Sequence, residues 1–367
     1  MTVETKKSIR KYTTEGAVHL YSSQPSVLTP ADLYTVRDNV SAQHALAQCN
    51  IYVVATRQRI LIDPWDFSVD GSVMSGHFVV QSPTGVTAHV PFDYALPVAE
   101  FTDLSVALSG THLAISTRQG NIIQASHIVV AGAHAEFPME ARDLCVLYVG
   151  QGIGRTQKRT ALDRLTRHST LQRILAETQT FHPDHEILLL LYRFEHGNVF
   201  ASNGGDMTVD ASATHEEDLQ HLSQLSNVHL GRGSIVSLAE AGLIRYFQPQ
   251  YNVQLKSADF TAKKKITVLT KVLNQGITGL IVEIGSGNLN SRLFTPSAPP
   301  FNMETLLSPE ALRGDRLETN ELKQQWAEEI HAMAHTHIAK FPLTSPDERD
   351  TFLHGTKWVG EEERTPI

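Results

Sequence analysis

Cysteine is nearly absent: in 367 residues only Cys49 and Cys145 carry a thiol, far apart and with no partner at a metal-ligand spacing such as CxxC. That argues against a disulfide framework and against a cysteine-built zinc site. No run approaches the ~18 consecutive apolar residues that a membrane span requires, and the opening MTVETKKSIRKYTTEG has no apolar core of the kind a secretion signal needs. A cytoplasmic setting with no membrane is the expectation. Excess positive charge is missing too. A formal net charge of −8 argues against a broad nonspecific nucleic-acid coat, because phosphate binding rests on clustered Lys and Arg. It leaves room for a local basic groove. Internal repeats are also absent.

What is present is a folding composition, 41% hydrophobic and 19% charged, which fits a packed protein better than a disordered or fibrous one. The length exceeds the ~250–300 residues at which single cores stop growing, so two or three domains are expected. Residues 1–125 alternate short β-branched runs with turn signals, as in NIYVVATRQRILIDP, GHFVVQSPTGVTAHVPF and SVALSGTHLAISTRQGNIIQ, where SPTG and RQGN read as turns. They predict a β-rich N-terminal domain.

Over 126–255 the pattern changes to a strand HIVVAGA (127–133), a strand LCVLYVG (144–150), a Gly- and Arg-rich turn, a helix over about 160–178 and a strand EILLLLYRFE (186–195). This β-β-α-β order suits a small α/β unit. A polar loop over about 201–213, a short helix HEEDLQHLSQL and a helix SIVSLAEAGLIRYF (234–247) follow. The last should end at Gln248, because Pro249 disfavours helical geometry in the residue before it. Residues 256–367 read as a mixed α/β extension: strands KKKITVLTKVL and GLIVEIG, the breaker-rich SRLFTPSAPPF, a long polar helix around 318–340 and a fraying tail. The expected class is α+β in three domains: 1–125, 126–255 and 256–367.

The helix at 234–247 holds an anomaly. Its apolar stripe runs Val236, Glu240, Leu243, Ile244, Phe247, and a carboxylate facing a core costs several kcal/mol unless paired, hydrogen-bonded or bound to a metal. Glu240 is thus either a buried acid bonded to an Arg or a backbone amide, or a lone metal ligand at the floor of a cleft. A basic segment precedes it, with Arg155, Lys158, Arg159, Arg164, Arg167 and Arg173 offset only by Asp163. Within it, Arg164 and His168 stand four apart and share a helix face. The rest reads equally as a solvated basic face or as nucleic-acid contacts.

YVG at 148–150, RLTRH at 164–168 and EAGLIRYFQPQYN at 240–252 resemble the second tripeptide, the Arg-Leu-x-x-His segment and the Glu…Pro-x-Tyr-Asn segment of GIY-YIG nucleases, in that family's order. The resemblance covers about 130 residues, a little over a third of the chain. It implies a divalent-metal-dependent endonuclease that hydrolyses phosphodiester bonds, with DNA as the expected partner. It implies roles for Tyr148 at the active centre, Gly150 where the backbone passes close to substrate, and Arg164 against phosphate charge. His168 would stand nearby, Glu240 would be the sole protein ligand of Mg²⁺ (or Mn²⁺), and Asn252 would order the site. Arg155, Lys158, Arg159 and Arg167 would contact nucleic acid.

The residue types suit that chemistry, which needs an activated water and neutralisation of charge on phosphoryl oxygens. A carboxylate is a hard ligand for Mg²⁺, and a guanidinium offers a planar fork to phosphate. Tyr148 or His168 would take a proton, although an ordinary phenol pKa near ~10 must first be lowered. Two departures from the family stand out. The first tripeptide has no counterpart in HIVVAGAHAEFP, where Phe137 sits near the expected distance before Tyr148 and His134 is a substitute base. An insertion, QGIGRTQKRTALD, precedes Arg164 and makes Arg159 a rival for its role.

Three further patterns compete. FHPDHE (181–186) gathers His182, Asp184, His185 and Glu186, but an extended turn would point neighbours apart. His331 and His335 stand at i, i+4 without the Glu of HExxH. Finally, LCVLYVG followed by GQGIG imitates a dinucleotide-binding turn of an oxidoreductase, with Glu195 as ribose contact, yet Glu195 lies 41 residues past Gly154 against an expected ~20. A catalytically impaired DNA-binding or scaffold protein on the nuclease fold is the other alternative.

Overall fold

The computed structural model describes residues 10–82, 87–153, 160–202, 211–253, 267–345, 348–349 and 351–354. Among them helices mix with four sheets. Among the named strands, pairing is antiparallel except where Thr14–Ser22 meets Ile277–Gly285 and where Leu144–Gln151 meets Leu293–Phe294, which fits the α+β class. No described helix is long and apolar enough to cross a membrane.

The sheet that positions the site has five strands in the order Leu293–Phe294, Leu144–Gln151, Ile51–Gln58, His185–Tyr192, Ser26–Leu28. Its middle strands carry continuous apolar runs, IYVVA and ILLLLY, buried along their length. Such runs belong in strands covered on both faces, because successive side chains point to opposite sides. One face, with Ile51, Val53, Val149 and Leu190, packs on helix Arg232–Phe247 through Val236, Leu243, Ile244 and Phe247. The other, with Tyr52, Val54, Leu189 and Leu191, packs on Leu162, Leu165, Leu171 and Ile174 of the helices Ala161–Leu165 and Ser169–Phe181. At about 1.5–3 kcal/mol for each fully buried large aliphatic side chain, these two layers dominate the stability of the central unit.

The expected boundary at 125 is crossed by strand pairing. Strands Ser26–Leu28 and Ile51–Gln58 lie in the central sheet, and Thr14–Ser22 pairs with Phe194–Ser202 and Ile277–Gly285. The β-rich strands that stand apart run from Ile60–Asp70 to Gly120–Ala125 and include His134–Ala135. They form two sheets around a core of their own, containing Ile60, Ile62, Phe78, Phe92, Leu113, Ile115 and Val130. This unit leaves the central sheet after Gln58 and returns at Leu144, between two adjacent strands of that sheet.

Several elements differ from expectation. HIVVAGA is helical over Ser126–Gly132, burying Val129 and Val130. A short apolar run does not reveal its period. The helix expected over 160–178 breaks into two, because the His168 side chain accepts the Leu171 N–H and caps a new helix. The run 186–195 divides at Arg193 between two sheets. The described part of KKKITVLTKVL is a helix, Thr267–Asn274, and the helix expected around 318–340 stops at Ala334 before a strand Thr336–Pro342. Helix Arg232–Phe247 ends as expected, with Gln248 in the left-handed region at φ 48°. RQGN forms a hairpin turn between His112–Thr117 and Gly120–Ala125. Most of SPTG and of the loop over 201–213 lies outside the described residues.

Candidate active site

The site stands at one end of the central sheet, where strands Ile51–Gln58 and Leu144–Gln151 run side by side with Gly150 opposite Tyr52 and Gln151 opposite Ile51. A bulge at Leu147 shifts this register, so that Val146 pairs with Ala55 and Tyr148 with Val54. An extra residue in one strand re-aims the side chains beyond it. Here it brings Tyr148 to the face that carries Tyr52. The two phenol rings stack at 6.1 Å between centroids. Gly150 makes this possible: a Cβ there would lie 2.5 Å from Tyr52 Oη and 2.7 Å from Tyr148 Cε1. Gly152 is equally constrained, because a Cβ would stand 2.3 Å from the backbone nitrogen of Ala161.

The acid comes from the opposite layer. Helix Arg232–Phe247 lays its apolar stripe on the sheet and presents half-buried Glu240 to the strand end, where Gln151 Nε2 donates to Glu240 Oε2 at 2.6 Å. Burial pushes the Glu240 carboxyl up to about 7, with the Gln151 hydrogen bonds and the charge of Arg164 pulling the other way. Gln151 Oε1 is buried and has no hydrogen-bond partner among the described residues. Arg164 sits on helix Ala161–Leu165, whose start is fixed by a capping box of Thr160 and Asp163. Tyr52, Tyr148, Gln151, Gly152, Ile153, Arg164 and Glu240 line one cleft of about 310 Å³.

Electrostatics set the state of these groups. Burial holds both phenols above their ordinary range; Glu240 raises them further, and Arg164 opposes the shift. At neutral pH they are hydrogen-bond donors. The cleft therefore combines oxygen donors for a cation, a guanidinium for an anion and two hydroxyls to orient what lies between.

Asn252 and His168 support the tyrosines from behind. Asn252 is buried, accepts the Val149 N–H at 2.9 Å and donates to the Val149 carbonyl at 2.9 Å, while the Tyr251 N–H reaches the Leu147 carbonyl at 3.0 Å. The PQYN segment thus serves as a short surrogate strand for the Tyr148 strand. The His168 ring packs on Tyr52 at 5.7 Å and Tyr148 at 5.0 Å. Because its Nδ1 accepts from Leu171, its neutral form carries the proton on Nε2, and burial with Arg164 nearby favours that neutral form.

Of the remaining expected residues, Arg167 is exposed, and Arg155, Lys158 and Arg159 lie outside the described residues. His134 and Phe137 do not join the cleft. His134 pairs with Asp93 in the separate β unit, and Phe137 stacks on Phe78 at 5.4 Å. Tyr52 and Gln151 are the site residues that sequence reasoning missed. The signal for Tyr52 was Asn50-Ile51-Tyr52 itself, which lies 96 residues before Tyr148, well beyond a local motif window. His331 and His335 are satisfied by backbone carbonyls, of Gly287 and His331. Glu186 pairs with buried Arg57 at 2.7 Å.

No protein-family model, curated protein or solved structure matches the chain.

Proposed function

We propose that the chain is a divalent-metal-dependent endonuclease of the GIY-YIG type, hydrolysing phosphodiester bonds in DNA. The observation that carries this reading is the convergence of Tyr52, Tyr148, Arg164 and Glu240, from four separate segments, on one cleft. In this reading Asn50-Ile51-Tyr52 stands in for the first tripeptide, with Asn for its Gly. The exchange is accommodated, since the Asn50 side chain accepts from Arg232 and its carbonyl accepts the Gly152 N–H. The nuclease unit is then discontinuous, with the separate β unit inserted between the two tyrosine strands, and the strands and helices beyond 267 form a mixed extension.

The donor set fits Mg²⁺ or Mn²⁺. Glu240 supplies a carboxylate and Gln151 an amide oxygen that lacks a partner, both hard oxygen ligands of the kind Mg²⁺ takes in small number. Such an ion, when bound, activates water and offsets charge on phosphoryl oxygens. The chain's own groups do the rest. Arg164 engages a phosphate oxygen through charge-assisted hydrogen bonds, and the Tyr52 and Tyr148 hydroxyls orient the attacking water and the scissile phosphate. In this scheme exposed Arg167 contacts the backbone of the duplex. The alternative of an impaired scaffold protein rests on a missing first tyrosine, and in this reading Tyr52 supplies that phenol. The dinucleotide reading fits less well, because LCVLYVG is followed by a five-residue helix and lies antiparallel to its long neighbour Ile51–Gln58, while Glu195 pairs with Arg193.

Plasmid nicking with Mg²⁺ or EDTA tests the proposal. Wild type should cut only with metal, and Glu240→Gln should lose about 10²-fold or more of the rate while still binding DNA. Cutting that persists in EDTA and in Glu240→Gln would overturn it.

A further inference from the structure

The turn at 182–185 gathers three groups that the cleft does not use. His182-Pro183-Asp184-His185 closes as a β-turn, with the His185 N–H donating to the His182 carbonyl at 2.9 Å and Pro where such turns favour it, at the second position. An extended turn would point these side chains apart. The closed turn brings its first and fourth residues together, with the two imidazole rings 5.4 Å apart. One potential ligand atom from each of His182, Asp184 and His185 lies within 4.8 Å of the others.

Two side-chain atoms of this turn are buried without a hydrogen bond among the described residues. Asp184 Oδ2 and His185 Nδ1 face each other at 3.2 Å, an ion pair when the imidazole is protonated, and neither makes a hydrogen bond among the described residues. Buried polar atoms are rarely left so, and one cation placed between them would satisfy both. Bonds of ~2.0–2.2 Å to a tetrahedral ion put donor atoms roughly 3.3–3.6 Å apart, so this pair is within a few tenths of an ångström of the required separation. The exposed His182 ring brings its ligand atom within 4.8 Å of the other two. The backbone beneath is held in place, because the Arg59 N–H donates to the Asp184 carbonyl at 2.8 Å and Arg59 Nη2 to the His185 carbonyl at 3.0 Å.

We infer that this turn is a second cation site, for a borderline transition metal with Zn²⁺ as its ion, held by His182, Asp184 and His185. Two imidazoles and one carboxylate suit Zn²⁺ rather than Mg²⁺, and three protein ligands leave a fourth position for water. The site is remote from the cleft. His185 pairs with Gln58, six strand residues from Tyr52, or roughly 20 Å at ~3.3 Å per residue. It sits where the chain leaves the central sheet at Arg59 for the separate β strands, so the ion would fasten that junction. It does not depend on the nuclease reading.

Titration of the metal-stripped full chain with Co²⁺, read by its visible d–d absorption, tests the site. Wild type should take up one equivalent with a tetrahedral-type band that Zn²⁺ displaces. Glu240→Gln should keep that tetrahedral-type band at wild-type intensity. Asp184→Asn and His185→Ala should lose the band, and His182→Ala should bind at least tenfold more weakly. Since His182 is exposed, His182→Ala should melt like wild type in EDTA and differ only in losing the Zn²⁺-dependent rise in Tm. Absence of a tetrahedral-type band in wild type, or ligand variants that show the band as wild type does, would overturn the inference.

Discussion

At the scale of single residues, Gly150 and Glu240 carry the sharpest expectations. Alanine at Gly150 places a methyl group 2.5 Å from Tyr52 Oη, and the ring cannot retreat because Tyr52 is almost wholly buried. Gly150→Ala should therefore destabilise the protein by about 1–3 kcal/mol, as overpacking does, and lower the nicking rate further than Tyr52→Phe, measured by urea unfolding alongside plasmid assays. Glu240 ties stability to pH. Its folded-state pKa, about 7, lies above the ordinary 4.5, so between those values the folded chain holds a proton that the unfolded chain has released. Its contribution is complete below about 4.5 and is lost as pH rises through about 7, up to about 3 kcal/mol. Metal-free melting curves from pH 5 to 8 should show this decline, and Glu240→Gln should flatten it. A wild-type curve parallel to that of the variant would refute the assignment.

At the scale of elements, the clamp on the Tyr148 strand decides whether the site keeps its shape. Asn252 both accepts from and donates to the backbone of Val149, a reciprocal pair that only a carboxamide can make. Asn252→Asp replaces the donor with an acceptor facing the Val149 carbonyl, leaving a buried acceptor unpaired. It should cost about 2 kcal/mol or more, read as a shift in the urea midpoint. The His168 cap of helix Ser169–Phe181 is worth less, about 1 kcal/mol. His168→Asn, which can still cap, should keep stability while loosening the packing behind Tyr52 and Tyr148. These supports also show where element boundaries were hidden. The break at 166–168 rests on a histidine acting as a helix cap, outside the usual Ser, Thr, Asp and Asn set.

At the scale of the whole molecule, the separate β unit has its own core, while the central sheet is covered on both faces by helices. Phe78 is fully buried in the former. Phe78→Ala should cost about 3–5 kcal/mol and raise hydrogen exchange in strands Ile60–Asp70, Val73–Val80 and Ala88–Ala95, leaving Ile51–Gln58 and His185–Tyr192 protected. Equal loss of protection in both sheets would mean that the two cores unfold as one unit.

Local sequence marked most of the candidate site: Glu240 interrupting an apolar stripe, Tyr148 and Gly150 closing a strand, Arg164 in the last turn of a short helix, and PQYN after Gln248. Each is a feature of a few neighbouring residues, which is the range over which periodicity and capping act. Tertiary structure alone decided that Tyr52 joins them, because strand pairing is non-local and its partner lies beyond an entire β unit. It also decided that Gln151 turns toward Glu240, and that His182 and His185 meet across a closed turn. Those placements follow from register and from the packing of two helical layers on one sheet, neither of which is written in any short stretch of the chain.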